Sequence, residues 1–255
     1  MSEPTEETPL KEGEGEVLAD PGAIKLGKMQ KFAAIAAHFW GLVALIANYV
    51  WFVQAGGAAK VFHWHPLFMD IAFIFMSIST LSFQYYTLFS RPVRKTIHAI
   101  GWVITIICAA VAMWAVITQH NNHPYAHMVS LHSWVGLFTM IFFVLQFLFG
   151  SYAYGAIDMG ATLEYKKQLM VYHKYYGNVI YQLTALTCLL GIQEKEGFLP
   201  TNCEYHINHT QFDPWIHLGN IPAQCKSAHT MAFGILVMSV LTSFAVHDFG
   251  KKSVK

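Results

Sequence analysis

Six long apolar segments restrict what this chain of 255 residues can fold into more than any other feature. A helix needs about 20 mostly apolar residues to cross the roughly 30 Å hydrocarbon core of a bilayer. The segments that meet this requirement are Phe32–Val53, Pro66–Tyr86, His98–Ile117, His132–Tyr154, Tyr175–Ile192 and Thr230–Val246. They predict an all-α, polytopic membrane protein with six transmembrane helices. The first five are joined by short loops, which favours antiparallel neighbours and a central four-helix bundle.

The composition agrees with a lipid environment. Only 12% of the residues are charged, whereas soluble domains carry about a quarter. The net charge of +1 provides no basic field for nucleic acid. Residues 1–30 are rich in glutamate and lack the apolar core of a signal peptide, so they predict a mobile cytoplasmic tail. One membrane domain is expected over residues 31–248, followed by a cytoplasmic tail over residues 249–255.

The distribution of lysine and arginine predicts the orientation. The N-terminal tail, the second and fourth connections and the C-terminal tail carry most of these residues, which places both termini in the cytoplasm. A long polar loop of about residues 193–228 then lies on the other side. It contains Cys203 and Cys225, which predict a disulfide in an oxidising compartment. The expected location is a membrane of the vesicle or lysosome type, or the plasma membrane.

Four histidines near helix starts carry the chemistry. His65 opens the second predicted helix and His132 the fourth, so both lie near the non-cytoplasmic face, while His98 and His173 open the third and fifth and lie near the cytoplasmic face. An ionisable group at this depth is costly and normally functional. Two axial imidazoles bind haem iron and leave no position for a substrate, which suits electron transfer. A single histidine near a helix end is usually structural, but two matched pairs favour two haem b groups.

Several motifs surround these histidines. They are His65-Pro66-Leu67-Phe68-Met69, Lys95-Thr96-Ile97-His98, Ser130-Leu131-His132-Ser133-Trp134-Val135-Gly136-Leu137, His173 with Gly177, and Leu190-Gly191-Ile192-Gln193-Glu194-Lys195. Over about residues 62–197 they resemble the eukaryotic cytochrome b561 family of ascorbate-reducible transmembrane cytochromes. The resemblance implies the same two haem pairs and a homodimer. The chain departs from the family's Ala-Leu-Val-Tyr-Arg-like end of helix two, where it has Ser82-Phe83-Gln84-Tyr85-Tyr86.

Candidate substrate residues lie at both faces. The cations that precede the two cytoplasmic histidines are Arg91, Arg94, Lys95, Lys166 and Lys167. They predict a docking site for cytoplasmic ascorbate, although the positive-inside rule alone also explains them. On the other face, His120 is the best candidate for binding an acceptor, either monodehydroascorbate or a ferric chelate. A merely polar, histidine-rich hairpin is the alternative for that loop.

The favoured function is that of a transmembrane, ascorbate-dependent oxidoreductase of the ferrireductase or monodehydroascorbate reductase type. Two rivals stay open: an accessory di-haem electron-carrier subunit that docks a protein partner, and a haem-free transporter with histidine proton relays. Asp70, just over one turn beyond His65, is unusual inside a membrane helix. It is expected to pair with a neighbour, to tune the nearby haem or to carry a proton.

Overall fold

The computed structural model describes residues 27–83, 85–124, 126–154, 162–197, 203 and 221–247. Within these ranges the chain forms six α-helices. They are α1 (Lys28–Gln54), α2 (Trp64–Ser82), α3 (Arg91–Asn121), α4 (Leu131–Tyr154), α5 (Leu163–Gly197) and α6 (Ala223–Val246). The predicted all-α fold is thus confirmed, while the predicted C-terminal tail and nearly all of the N-terminal one lie outside the described residues.

The helix boundaries differ from the predicted segments. Helix α3 begins at Arg91 and α5 at Leu163, so His98 and His173 lie two to three turns inside their helices. Helix α2 ends at Ser82, and α5 continues to Gly197, which shortens the predicted loop at its start. The boundaries were wrong because hydropathy marks the stretch in contact with lipid, whereas the helical hydrogen bonds continue into polar sequence at both ends.

Helix α5 differs in composition from its neighbours. Among the described residues, five helical segments are long and apolar enough to cross a membrane, and they correspond to α1, α2, α3, α4 and α6. Helix α5 has 35 residues, but its first half contains polar residues such as Lys166 and Lys174. The helix packs against α4, α6 and α2. The chain is therefore an integral membrane protein with a six-helix bundle.

Helices α1 and α6 pack antiparallel to each other through small residues. Ala37 and Ala44 of α1 are fully buried, and Gly234 of α6 lies against Ala44. Small side chains allow the close approach from which helices in lipid gain their packing energy. Where α1 ends, the Ser227 hydroxyl donates to the side-chain oxygen of Gln54 at 2.9 Å. This helix pair flanks the four helices that carry the candidate site.

Helices α2–α5 form the central bundle. Helix α2 packs along α3, and α4 packs along α5. Two aromatic contacts connect these pairs near the middle of the bundle. Phe73 of α2 stacks on Tyr181 of α5 with ring centres 4.8 Å apart, and Trp102 of α3 packs against Phe143 of α4 at 5.5 Å. The aromatic contacts separate two layers of histidines, one toward each end of the bundle. We call the end where α1 begins and α6 ends the basic end, because the helix starts at Lys28 and Arg91 lie there.

The closest helix contact in this bundle is at Gly101 of α3. A Cβ atom at this position would overlap the Ser79 hydroxyl oxygen of α2 and lie 3.4 Å from the carbonyl oxygen of Phe75. We expect Gly101→Ala to lower stability by about 1–3 kcal/mol, the usual cost of overpacking. Thermal unfolding of the detergent-solubilised protein would measure it. Gly197→Ala is the matched control, because no described atom outside its own backbone environment lies within 4 Å of a Cβ there. Equal melting temperatures for the two variants would contradict the prediction.

Candidate functional site

Four histidines form two pairs inside the central bundle. His65 of α2 faces His132 of α4 with ring centres 6.1 Å apart, at the end opposite the basic end. His98 of α3 faces His173 of α5 at 6.3 Å, toward the basic end. These are the same two pairs that the predicted directions of the helices place at common depths.

Backbone carbonyls of neighbouring helices hold three of these imidazoles through Nδ1. The contacts are His65 to Ala112 at 3.0 Å, His98 to Ser79 at 2.8 Å and His132 to Thr187 at 2.9 Å. A carbonyl oxygen can only accept, so each Nδ1 carries the proton and donates it. Nε2 then keeps its lone pair and is the nitrogen that can bind a metal ion.

Two side chains complete the pair near the basic end. The indole N–H of Trp102 donates to Nε2 of His98 at 3.0 Å. Because indole is only a donor, this bond independently identifies Nε2 as the unprotonated nitrogen. At the other ring, the amide nitrogen of Gln146 donates to the backbone oxygen of His173 at 2.7 Å and lies 2.9 Å from its Nδ1. Sequence reasoning missed both side chains. Trp102 was detectable one turn after His98, whereas Gln146 lies 27 positions from His173 and is brought near it only by the fold.

A constant separation relates the two layers. On each central helix, the histidine of one layer and the residue that holds an imidazole of the other layer are 14 positions apart: 65 and 79, 98 and 112, 132 and 146, 173 and 187. Fourteen residues rise about 21 Å and return close to the same helix face. Each helix therefore contributes a ligand candidate to one layer and an anchor to the other, both facing the interior.

The spacing within each pair fits one metal ion between two imidazoles. An imidazole nitrogen binds a transition-metal ion at about 2 Å, so ligands on opposite sides of one ion have ring centres about 6 Å apart. The observed distances are 6.1 and 6.3 Å. Together with the Nε2 lone pairs of His65, His98 and His132, this spacing fits haem iron held between two histidines, an arrangement used for electron transfer.

Two glycines make room for the imidazoles. A Cβ atom at Gly191 of α5 would lie 2.8 Å from Cε1 of His132, and one at Gly150 of α4 would lie 3.0 Å from Cε1 of His173. A larger residue at either position would require the imidazole to move. Gly191 belongs to a motif that the sequence displays, but nothing in the sequence connects it with His132.

The predicted cations before His98 differ in their surroundings. Arg91 and Lys95 are exposed, whereas Arg94 is buried and its guanidinium donates to the carbonyl oxygen of Phe83 at 2.6 Å. Arg94 therefore contributes to the end of α2, where the last carbonyl groups lack intrahelical partners. Lys95 is the predicted cation that is both exposed and about one turn from His98.

The predicted cations before His173 lie in the first turns of α5. Lys167 is exposed and lies 3.9 Å from the carboxylate of Glu164. Lys166 is half-buried, and its backbone oxygen accepts from the hydroxyl of Tyr154 at 3.0 Å. An exposed ion pair of this kind is worth little and readily exchanges partners.

His120 lies at the end of α3 opposite the basic end. Its ring stacks on that of His127 with centres 5.0 Å apart, and Nε2 of His127 lies 3.2 Å from the side-chain oxygen of Asn121. His120 is close enough to His65 for their charges to interact. The predicted acceptor residue thus belongs to a polar cluster beside the His65/His132 pair.

Lys195 is a further cation beside the same pair. Its ammonium lies 4.7 Å from the ring centre of Phe62, and the Phe62 ring is 6.0 Å from that of His65. Burial lowers the pKa of Lys195, and Lys60 lowers it further. Sequence reasoning placed Lys195 in a motif without giving it a role.

In the structure a disulfide joins Cys203 to Cys225, near the start of α6. The Cα atoms are 5.8 Å apart, and Cys225 is fully buried. The disulfide ties the connection between α5 and α6 to the start of α6, on the side of the bundle that carries His120.

Comparison with known proteins identifies the family. The family model for eukaryotic cytochrome b561 matches residues 64–199, more than half of the chain and a range that contains all four paired histidines. The probable ascorbate-specific transmembrane electron transporter 2 of Oryza sativa subsp. japonica is 29% identical over 175 residues, which cover 65% of this chain and 73% of that protein. The transmembrane ascorbate-dependent reductase CYB561 of Ovis aries is 28% identical over 188 residues, covering 72% and 69%.

A third relative shows higher identity over a smaller part of its length. The plasma membrane ascorbate-dependent reductase CYBRD1 of Xenopus tropicalis is 34% identical over 173 residues, which cover 63% of this chain and 59% of that protein. The chain thus spans less than two thirds of this relative. The chain belongs to the eukaryotic cytochrome b561 family.

Proposed function

We propose that this protein is a transmembrane oxidoreductase that carries electrons from cytoplasmic ascorbate to a non-cytoplasmic acceptor. The acceptor is monodehydroascorbate or ferric iron in a chelate. The observation that carries the proposal is the stacking of two histidine pairs, at 6.1 and 6.3 Å, in layers about 21 Å apart along the helices. The relatives named for ascorbate-dependent reduction support the choice of donor.

Membership of a b-type cytochrome family implies haem b as the cofactor. We assign one haem to His98 and His173 and a second to His65 and His132. Bound there, each haem would supply a one-electron redox centre. The chain itself holds His65, His98 and His132 through Nδ1, which leaves Nε2 of each ring as the candidate ligand atom. Electron entry and exit are thereby separated onto opposite faces.

The orientation follows from the basic end. Lysine and arginine concentrate at the end where α1 begins and α6 ends, so we place this end and both termini in the cytoplasm. The donor then approaches the His98/His173 layer past the exposed Lys95 and Arg91, with Lys167 and the half-buried Lys166 at the same end of the bundle. Cations at this mouth attract the ascorbate anion and raise its local concentration. Arg94 lies at the same end of the bundle, but its guanidinium donates to the carbonyl oxygen of Phe83 at the end of α2.

The acceptor site is assigned to the opposite face. His120, its stacked neighbour His127 and the cation of Lys195 surround the His65/His132 layer. Imidazole is a ligand for ferric chelates and a hydrogen-bond donor to an anionic radical such as monodehydroascorbate. A disulfide-bonded segment on this face fits an oxidising compartment, which is a vesicle lumen or the cell exterior.

Stopped-flow spectroscopy of the purified protein tests the proposal. Ascorbate should reduce a b-type α-band within the mixing experiment, and a ferric chelate or monodehydroascorbate should oxidise it again. Absence of a reducible b-type band would reject the haem assignment. A normal band that ascorbate fails to reduce would instead favour the role of an accessory carrier with a protein donor.

Charge reversal at Lys95 tests the donor site. Lys95→Glu should slow reduction by ascorbate about tenfold, because an attractive charge near the entry point becomes repulsive. Haem content should not change, since Lys95 is exposed. Lys28→Glu is the matched control at the same end, on the exposed first turn of α1. If both variants react at the wild-type rate, Lys95 is not part of the docking site.

A further inference from the structure

A buried carboxyl and a buried amide lie together inside the bundle without a complete set of partners. Asp70 of α2 is 2% exposed and Asn48 of α1 is 0% exposed. The amide nitrogen of Asn48 donates to Oδ2 of Asp70 at 3.2 Å and to the backbone oxygen of Pro66 at 3.0 Å. Within the described residues, neither Oδ1 of Asp70 nor Oδ1 of Asn48 has a hydrogen-bond donor.

Two acceptor oxygens without a donor indicate a missing proton or cation. An ionised carboxylate in such an environment, with one neutral donor, is strongly unfavourable. Protonation of Oδ1 turns the carboxyl into a donor and removes the charge. No lysine or arginine of the described residues forms an ion pair with Asp70. The pair is therefore built to hold a proton that can leave when a positive charge is nearby.

The charge that controls this proton belongs to the His65/His132 layer. Asp70 follows His65 by five residues, about 7.5 Å along the helix. The Asn48 amide that binds Asp70 also binds Pro66, the residue directly after His65. At about 10 Å and an effective dielectric constant of about 20, two unit charges change each other's equilibria roughly tenfold. Reduction of haem iron removes one positive charge from this layer, so the carboxyl then holds its proton more tightly.

We propose that Asp70 is a redox-linked proton site that binds a proton when the non-cytoplasmic haem site gains an electron. This inference rests on the proposed function, because it requires haem at His65 and His132. One electron enters from the reductant, one proton passes from water to Oδ1 of Asp70, and an O–H bond forms. On reoxidation the electron passes to the acceptor, the O–H bond of Asp70 breaks and the proton returns to water. The protein would thus couple electron transfer to proton uptake and release.

Other ionisable groups on the packed helices could also produce a pH dependence. On α5 the Cys188 thiol is close enough to Asp70 for their charges to influence each other. Other ionisable side chains of the packed helices include His38 and Tyr49 on α1, His98, Cys108 and His120 on α3, the buried Tyr181 on α5, and His229 on α6. At the end of α5, Glu196 lies 3.1 Å from His229; burial raises the pKa of this carboxyl, and His229 opposes part of the rise. Glu196 is therefore the matched carboxyl for a control.

Potentiometric titration of the purified haem-loaded protein at a series of pH values tests the proposal. Dithionite with mediators serves as the reductant, so the result does not depend on ascorbate. In the wild type, the oxidation–reduction equilibrium of the non-cytoplasmic haem should shift about tenfold between the low-pH and high-pH plateaus, with the lower potential at high pH. For one electron this is about 59 mV. Asp70→Asn should remove the shift, and Glu196→Gln should retain it.

The wild-type protein provides a second measurement should Asp70→Asn fail to fold. Redox-difference infrared spectra should show the carbonyl stretch of a protonated carboxyl appearing on reduction, with a small shift in heavy water. A wild-type shift in Asp70→Asn, its loss in Glu196→Gln, or no carboxyl band would overturn the proposal. A potential that depends on sodium concentration at constant pH would also overturn the proposal, because the site would then bind a cation in place of a proton. Absence of the non-cytoplasmic haem spectrum would instead reject the proposed function, and with it this inference.

Discussion

Replacing His132 with alanine is expected to remove the non-cytoplasmic haem and to leave the cytoplasmic haem in place. His132 supplies one of the two imidazoles in its layer, and its Nδ1 is held by the carbonyl oxygen of Thr187 on α5. Alanine provides no ligand, so His65 alone would remain. The other pair lies about 21 Å away along the helices and keeps both its imidazoles and its anchors. Electron transfer from one face to the other should therefore fall to background.

Haem content per protein and the reduced α-band spectrum measure this result. His132→Ala should bind about one haem where the wild type binds two, and ascorbate should still reduce the remaining haem. His173→Ala is the reciprocal variant and should lose the centre that ascorbate reduces first. His127→Ala, an exposed histidine at the same face as His132, should retain the full haem content. Wild-type haem content in His132→Ala would show that the pairing is wrong.

The sequence predicts the two histidine pairs because they depend on the directions of four consecutive helices. Apolar length places each segment across the bilayer, and short connections alternate the directions. His65 and His132 then share one face irrespective of the exact helix boundaries. The errors of several residues at the starts of α3 and α5 shift the depth of His98 and His173 within their helices, but they shift both members of that pair in the same direction.

The anchors of the imidazoles could not be predicted in the same way. Three of them are backbone carbonyls, at Ser79, Ala112 and Thr187, and every residue possesses such a group. Which carbonyl faces an imidazole depends on helix rotation and axial register, which hydropathy does not determine.

The surroundings of the predicted cations could not be predicted from the sequence either. Arg94 and Lys95 are adjacent in sequence, yet one is buried against Phe83 and the other is exposed, because successive residues lie about 100° apart around a helix.

Gly191→Val is expected to remove the non-cytoplasmic haem although all four histidines are retained. The first side-chain carbon at this position would lie 2.8 Å from Cε1, 3.0 Å from Nδ1 and 3.3 Å from Nε2 of His132. The imidazole would have to rotate, and rotation breaks its hydrogen bond to Thr187 and changes its position relative to His65. A ligand moved by about 1 Å from its productive position no longer binds effectively. The layer of His98 and His173 contains none of these contacts and should be unchanged.

The measurement that separates this effect from general destabilisation is haem content compared with thermal unfolding. Gly191→Val should bind about one haem per protein and lack the same spectral component as His132→Ala. Gly197→Val, six residues later on the same helix, places its side chain where no described atom would contact the added Cβ, and it should bind two haems. Gly150→Val should show the reciprocal loss, since a Cβ there would meet His173 at 3.0 Å. Two haems in Gly191→Val would mean that His132 has room to move without leaving the iron, and the glycine would then serve helix packing alone.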